Sequence, residues 1–423
     1  MFKYGLDERP PVGQTLIFGL QWFVFTVPPL IILGKVVADL QLTEAASQVL
    51  YLQRLSLVTG ITMIAQILWG HRLPLVLGPS SVLLVGIISS QASGIDVIYS
   101  SILCGGLFIT LLAITGLFGK LVRLFTSRVI AAVLLLVAVT LTPTILDLIV
   151  TEGTVVSALA SLSFALVMIF LTFLAHRFLT GIWKSTLVLW SLVAGWLAFL
   201  VLFGPSVNGL DIQSWGVVSP GYPGIDFAFD PAVIISFIMC FLALSVNDLG
   251  SIQAVGEIIK PSGMRERITR GLTVTGLGNI LSGLMGVIGP VNFSGSPGMI
   301  ISTRCASRFT LIPAAVGLLI ASFLPALMGF IAMIPSVVIG VVLIYIMSIQ
   351  LATGLLVAFG SEDRPSMDSL LVIGLPVLLA TMIAYLPASV INTFPVALRP
   401  LLGNGFVVGL VAALFLEHMV VHE

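Results

Sequence analysis

The sequence predicts an all-α polytopic membrane protein of about fourteen spans, arranged as two inverted halves of seven. Three observations predict it. The 423 residues are 58% hydrophobic and only 9% charged, with a mean hydropathy of +1.18. Soluble domains carry roughly 25% charged residues, so a water-soluble fold is excluded. Two interruptions of the apolar background, Leu77-Gly-Pro-Ser-Ser81 and Ser294-Gly-Ser-Pro-Gly298, occupy matching places in the two halves. The basic residues, finally, are sorted almost entirely to one face of the predicted spans.

A span needs about 20 apolar residues. Hydropathy places spans near 14–34, 48–69, 74–92, 96–118, 127–149, 154–176, 184–204, 231–259, 268–289, 290–303, 309–328, 331–353, 367–387 and 402–420. The segment Met1 to Pro11 carries Lys3, Asp7, Glu8 and Arg9 and does not read as a cleavable leader. With this layout all of the 18 basic residues except Lys35, Arg54 and Arg399 fall on one side, Arg72 and Arg364 among them. The opposite side has a long loop with Asp211, Asp226 and Asp230 and no base. The positive-inside rule then makes both termini cytoplasmic, in an integral plasma (inner) membrane protein.

That long loop, 205–230, holds Pro205, Gly209, Pro220, Gly221, Pro223 and Gly224. It separates a first repeat, 1–204, from a second, 231–423. An odd number of spans per repeat inverts the second copy relative to the first. Ser127-Arg-Val-Ile-Ala-Ala-Val-Leu134 can be laid on Ser336-Val-Val-Ile-Gly-Val-Val-Leu343, which agrees with one duplication.

The third and tenth segments share a plan. Pro74 to Ser81 is extended in character and becomes helical at Val82; Pro290 to Gly298 does the same before Met299. Pro removes a backbone donor and Gly disfavours helix. Non-helical backbone at membrane depth survives only inside protein or beside a wet cavity. Two such extended pieces would meet near the bilayer midplane and aim the amino ends of their half-helices at one spot. Ser80, Ser81, Gly295, Ser296 and Gly298 are therefore candidate binding residues for a substrate carbonyl or an anionic group.

Polar groups inside the membrane default to functional candidates. The eighth span is richest, with Ser245, Asn247, Asp248, Ser251, Gln253 and Glu257. Asn247 and Ser251 stand four residues apart on one helix face. Asp248 points about 100° away from Asn247 and cannot square up to the same pocket. A buried carboxylate is costly to keep charged, which suits a carrier of protons. Asp248 is the candidate for cation coupling, with a hydrogen bond to a neighbouring helix or an ion pair as the alternative. Glu257 lies close to Lys260 and reads as an interfacial ion pair. In the first span, Gln21 precedes a Pro28-Pro29 pair expected to kink the helix. His71, His176, His418 and His422 fall at helix ends or in the tail and read as interfacial. Cys104, Cys240 and Cys305 have no metal-ligand spacing and read as small core residues.

Phe18-Gly-Leu-Gln-Trp22, Arg270-Gly-Leu with Gly276, Gly278, Leu281, Ser282 and Gly283, and Ile334-Pro-Ser-Val-Val-Ile-Gly340 form a recognisable set. So does Gly295-Ser-Pro-Gly-Met-Ile-Ile-Ser-Thr-Arg-Cys-Ala-Ser-Arg308. Together they resemble the nucleobase–ascorbate transporters, the xanthine/uracil permease family of nucleobase:cation symporters. The resemblance implies fourteen spans in two inverted repeats, divided into core and gate domains. It implies carriage of uracil, xanthine or related purines with a proton or sodium ion, as a homodimer. The chain is a divergent member on this reading. The family's carboxylate three residues before a glycine in the eighth span is Asn247 here, counted from Gly250. Its Gln/Glu-Asn pair in the tenth span is Gly295-Ser296, followed by Pro297. Ser251 stands where members place a His or Asp associated with the cation.

The function expected is secondary transport of a nucleobase-type solute, cation-coupled and by alternating access. Substrate would touch Gln21, Ser80, Ser81, Asn247, Ser251, Gly295, Ser296 and Gly298. The alternatives are a sulfate- or bicarbonate-type anion transporter on the same fold, or an uncoupled facilitator. No His-Glu-x-x-His pair, Gly-x-Ser-x-Gly elbow or filter motif suggests an intramembrane enzyme or a channel. No cofactor, bound metal or nucleic-acid partner is expected beyond a co-transported ion, the small-molecule substrate and the bilayer.

Overall fold

The computed structural model describes residues 2–150, 156–204, 217–293, 295–360, 367–391, 393–395 and 398–420. Ser294, Asp211, Arg364 and His422 lie outside the described residues, as does the 205–216 part of loop 205–230.

In chain order the first half contains α1 (Val12–Gln41), α2 (Ala45–Leu68), β1 (Leu77–Pro79), α3 (Ser81–Ser89), α4 (Ile95–Ile114) and α5 (Phe118–Leu121). It continues with α6 (Ser127–Thr140), α7 (Thr142–Ile149), α8 (Ala158–Phe178), α9 (Gly181–Ser185) and α10 (Leu187–Phe203). The second half has α11 (Pro231–Ile259), α12 (Met264–Leu284), β2 (Pro290–Asn292), α13 (Ser296–Thr303), α14 (Ile312–Ala321) and α15 (Pro325–Ala332). After these come α16 (Ser336–Gly360), α17 (Met367–Ala384), α18 (Ala388–Ile391), α19 (Arg399–Leu402) and α20 (Gly405–Phe415).

Among the described residues, six helices are long and apolar enough to cross a bilayer unaided: α1, α4, the α6–α7 run, α8, α11 and α16. A seventh is possible if the segment Arg308–Ala321 and α15, bent by 90° at their junction, count as one. The other predicted spans fall on shorter or broken helices. Segments 74–92 and 290–303 are short because each spends its first residues as extended chain. Pro28 and Pro29 do not end α1, which continues through both.

The extended pieces meet as anticipated from their composition. β1 and β2 pair antiparallel, with Leu77 opposite Asn292, Gly78 opposite Val291 and Pro79 opposite Pro290. All six residues are buried. Each strand thus supplies backbone partners that lipid could not. The cross-connection extends beyond the ladder, since Phe293 N donates to Val76 O at 2.8 Å and Ser80 N to Gly289 O at 3.0 Å. Gly78 is required by close approach: a Cβ there would run into the ring of Phe293.

The helices sort into two packing groups. In one, α4 lies along α12, α2 along α14 and α12, α1 along α2 and α14, and α11 against α4 and α3. The α4–α12 contact is made by small residues. A Cβ on Gly106 would sit 2.7 Å from Ile280 N, and one on Gly283 would sit 2.7 Å from Leu103 Cβ. Such residues let helix backbones approach closely inside a membrane, where burial of apolar surface gives helices no reason to associate. In the other group α6 packs on α16, α17 and α20, and α16 also contacts α7, α8 and α10. Contacts between the groups are sparser, chiefly α1 with α10 and α16, α3 with α6, α9 with α13, and α11 with α19 and α20.

The amino-terminal segment is stitched to the loop after α13. Lys3 N donates to Arg304 O at 2.8 Å, Ala306 N to Tyr4 O at 3.0 Å, and Arg308 pairs with Asp7 at 2.8 Å.

Candidate functional site

Where the two half-helices converge, a cavity of about 260 Å³ opens between the packing groups. One wall comes from α1 (Phe25, Pro28, Pro29), from Pro79 and Ser81 at the β1–α3 junction, from Asn247 of α11, and from Val291, Asn292, Phe293 and Gly295 around β2. The facing wall comes from Leu134 of α6, Thr186, Val188 and Leu189 at the start of α10, and Leu343, Met347, Gln350 and Thr353 of α16. Among the described residues, none that lines it is ionisable. Ligand pockets for drug-sized molecules run roughly 300–1,000 Å³, so this one suits a small solute.

Three predicted residues, Ser81, Asn247 and Gly295, line the cavity. Four others sit behind it and hold its wall. Ser80 is buried and caps α3 by accepting from Leu83 N. Ser296 is buried and its Oγ accepts from Val76 N at 3.1 Å while donating to Phe293 O at 3.0 Å. Ser251 Oγ lies 2.9 Å from the carbonyl of Asn247 and 3.1 Å from that of Asn292. Asp248 is fully buried and does not line the cavity. Two predicted residues are not part of this arrangement. Gln21 is half-buried outside the lining, its Oε1 enclosed without a hydrogen-bond partner among the described residues. Gly298 is on the exposed side of α13, also outside the lining.

From the wall residue Asn292 inward runs a ring of five buried polar residues, Gln66, His71, Asp248, Thr275 and Asn292, closed through the backbone N of His71. Asp248 Oδ1 accepts from Asn292 N at 2.9 Å and Asn292 Nδ2 at 2.6 Å; its Oδ2 accepts from Thr275 Oγ1 at 2.8 Å. Thr275 Oγ1 accepts in turn from Gln66 Nε2 at 3.0 Å, and Gln66 Oε1 accepts from His71 N at 3.2 Å. His71 Nε2 lies 3.2 Å from Asn292 Oδ1. The imidazole tautomer follows by elimination. Leu73 N donates to His71 Nδ1 at 3.0 Å, so Nδ1 carries no proton and Nε2 donates to Asn292. Each donor atom in the ring has at least one acceptor, and a well-paired buried polar network of this kind rigidifies its surroundings.

His71 therefore corrects the reading of the histidines as interfacial: it is wholly buried at the heart of the first packing group. It sits in the connection from α2 back down to β1. Hydropathy marks the end of a helix but not a chain that turns inward again. His176 is also engaged, its Nδ1 lying 2.7 Å from Tyr345 Oη. Glu257 is exposed, and among the described residues no ion pair joins it to Lys260. Thr186, Gln350 and Thr353 also line the cavity without having been expected there. Gln350 was legible only as a polar residue near the end of an apolar span.

Comparison with known proteins bears on this arrangement. The sequence profile Xan_ur_permease, described as a permease family, matches residues 13–389. Nucleobase transporter PlUacP of Paenibacillus larvae is 26% identical, over 96% of this chain and 94% of its own. Xanthine permease of Bacillus subtilis is 25% identical over 97% and 94%, and uric acid transporter UacT of Escherichia coli 25% identical over 97% and 87%. Among solved structures, the transmembrane domain of the cyanobacterial bicarbonate transporter BicA superposes with a TM-score of 0.63 at 16% identity, over 88% of this chain and 95% of that one. The inward-facing murine Slc26a9 anion transporter gives 0.60 at 13% identity, over 96% and 68%. At such identities the structural likeness speaks for the fold alone.

Proposed function

This chain belongs to the nucleobase–ascorbate transporter family of xanthine and uracil permeases, and from that premise we propose that it is a secondary transporter of a neutral nucleobase-type solute. The observation that carries the reading is the cavity itself. Phe25 and Phe293 line it with Asn247, whose carboxamide makes no hydrogen bond within the described protein and offers one donor and one acceptor edge. A flat heterocycle with an amide edge matches both features. The absence of any ionisable lining residue favours this over the bare-anion reading. The amino ends of α3 and α13, beside Ser81 and Gly295, would face the carbonyl oxygens of the ring.

Alternating access would come from relative movement of the two packing groups, whose sparse mutual contacts support such motion. They correspond to the core and gate domains of the family, in two inverted repeats of seven spans. Asp248 is the buried carboxylate proposed to carry the coupling proton, through its place behind the binding wall rather than by touching the solute. The protein is proposed to work as a homodimer in the inner membrane with both termini cytoplasmic.

Purified protein in liposomes tests this reading. Saturable uptake of radiolabelled xanthine or uracil, increased by an inward proton gradient, is the expected result. Uptake of sulfate or bicarbonate with no nucleobase uptake would replace it with the anion reading.

A further inference from the structure

Three carboxamides line the cavity; that of Asn292 is engaged with Asp248 and His71, and the other two stand on opposite packing groups. Asn247 belongs to α11, in the group that carries β1 and β2; Gln350 belongs to α16, which packs on α6, α7, α8 and α10. Neither side chain has a hydrogen-bond partner among the described residues. The other polar side chains on the facing wall are already committed. Thr353 Oγ1 donates to Ile349 O at 2.8 Å, and Thr186 Oγ1 accepts from Trp190 Nε1 at 3.1 Å. Around them the wall is aliphatic, with Leu134, Val188 and Leu343. Gln350 is the one carboxamide on this facing wall, its donor and acceptor both without a partner among the described residues, and a half-buried carboxamide in apolar surroundings lacks the pairing that polar groups there normally find.

We infer that Gln350 is a specificity-determining residue, which hydrogen-bonds the edge of the solute opposite the edge read by Asn247. This rests on the nucleobase reading and deepens it. A heterocycle held between the two carboxamides must offer hydrogen-bonding groups on opposite edges, which uracil and the oxopurines do. Because each amide both donates and accepts, the pair favours solutes with mixed carbonyl and N–H edges over solutes with a single polar edge. The contact also spans both packing groups, so it ties solute recognition to their mutual position.

The test is binding of uracil, xanthine, hypoxanthine and adenine to detergent-purified full-length protein, by calorimetry, for the wild type and for Gln350→Met and Gln350→Leu. Each variant's melting temperature is measured without solute. The expected result is a loss of at least about tenfold in affinity for the best-bound base, with a changed ranking across the four and an unchanged melting temperature. Gln350→Glu is expected to change the ranking in a different direction, since it can only accept when ionised. Wild-type binding with both neutral variants within twofold of it overturns the role of Gln350. A wild type that binds none of the four overturns the nucleobase reading itself, and the inference with it.

Discussion

Asn292 gives two hydrogen bonds to one oxygen of Asp248, from its backbone N at 2.9 Å and from its side-chain Nδ2 at 2.6 Å. The carboxylate on α11 thereby grips the last residue of β2, and Asn292 in turn forms part of the cavity wall. A charge that sequence alone makes a candidate carrier is also the fastening of the binding wall.

The two roles separate by substitution. Asp248→Asn keeps an oxygen for Asn292 and places an amide nitrogen beside Thr275 Oγ1, whose remaining lone pair can receive it, so that only the Thr275 O–H has to find another acceptor. This variant is expected to fold and bind solute near wild-type affinity while its uptake loses all dependence on the proton gradient. Asp248→Ala strands three buried donors and is expected to cost about 3 kcal/mol or more, with binding lost. Thermal unfolding beside liposome uptake at imposed pH gradients measures both. Unchanged gradient dependence in Asp248→Asn removes the carrier role and leaves the fastening.

His71→Leu removes the donor to Asn292 Oδ1 and the acceptor for Leu73 N. Two buried groups lose partners, so a destabilisation of about 2–4 kcal/mol is expected. Selectivity among bases should be preserved in whatever protein remains folded, because His71 does not line the cavity. Melting temperature and a competition profile check the two halves of this statement.

Gly78→Ala would drive a methyl group into the ring of Phe293. Since Phe293 lines the cavity, the variant is expected to lose uptake by about tenfold or more, through displacement of that ring. Adding Phe293→Leu should restore part of the loss, and the double-mutant cycle should show a coupling of about 1 kcal/mol or more. Additive effects would mean the ring moves freely.

Asn247→Asp exchanges a donor-and-acceptor edge for one that only accepts when ionised. Solutes presenting paired N–H groups should then gain on those presenting a carbonyl beside an N–H. Competition for uptake by uracil, xanthine and adenine reads the shift, and an unaltered ranking would remove Asn247 from the contact.

Parts of this arrangement were legible from residue order. α11 spans the same residues as its hydropathic segment, because Asp230 caps it and Pro231 opens it while Lys260-Pro261 closes it. The two interrupted segments were legible because clustered Gly and Pro disfavour helix, and their backbone then needed some partner. That Asn247 and Asp248 face different surroundings followed from helical geometry. What could not be read was the identity of partners distant in the chain. His71 looks interfacial until β1 carries the chain inward, and Ser296 looks like a ligand until Val76 N is found on its Oγ. Gln350 acquires meaning only when α16 is laid opposite α11.

The hydrogen bond from Val76 to Ser296 joins positions 220 residues apart. At about 5–20 residues per second, ribosomes need tens of seconds to make the second partner after the first. During that interval β1 must wait in the membrane with its backbone groups bare or wetted. Severed halves of the gene, expressed one at a time, should therefore be degraded, while their co-expression should rescue both.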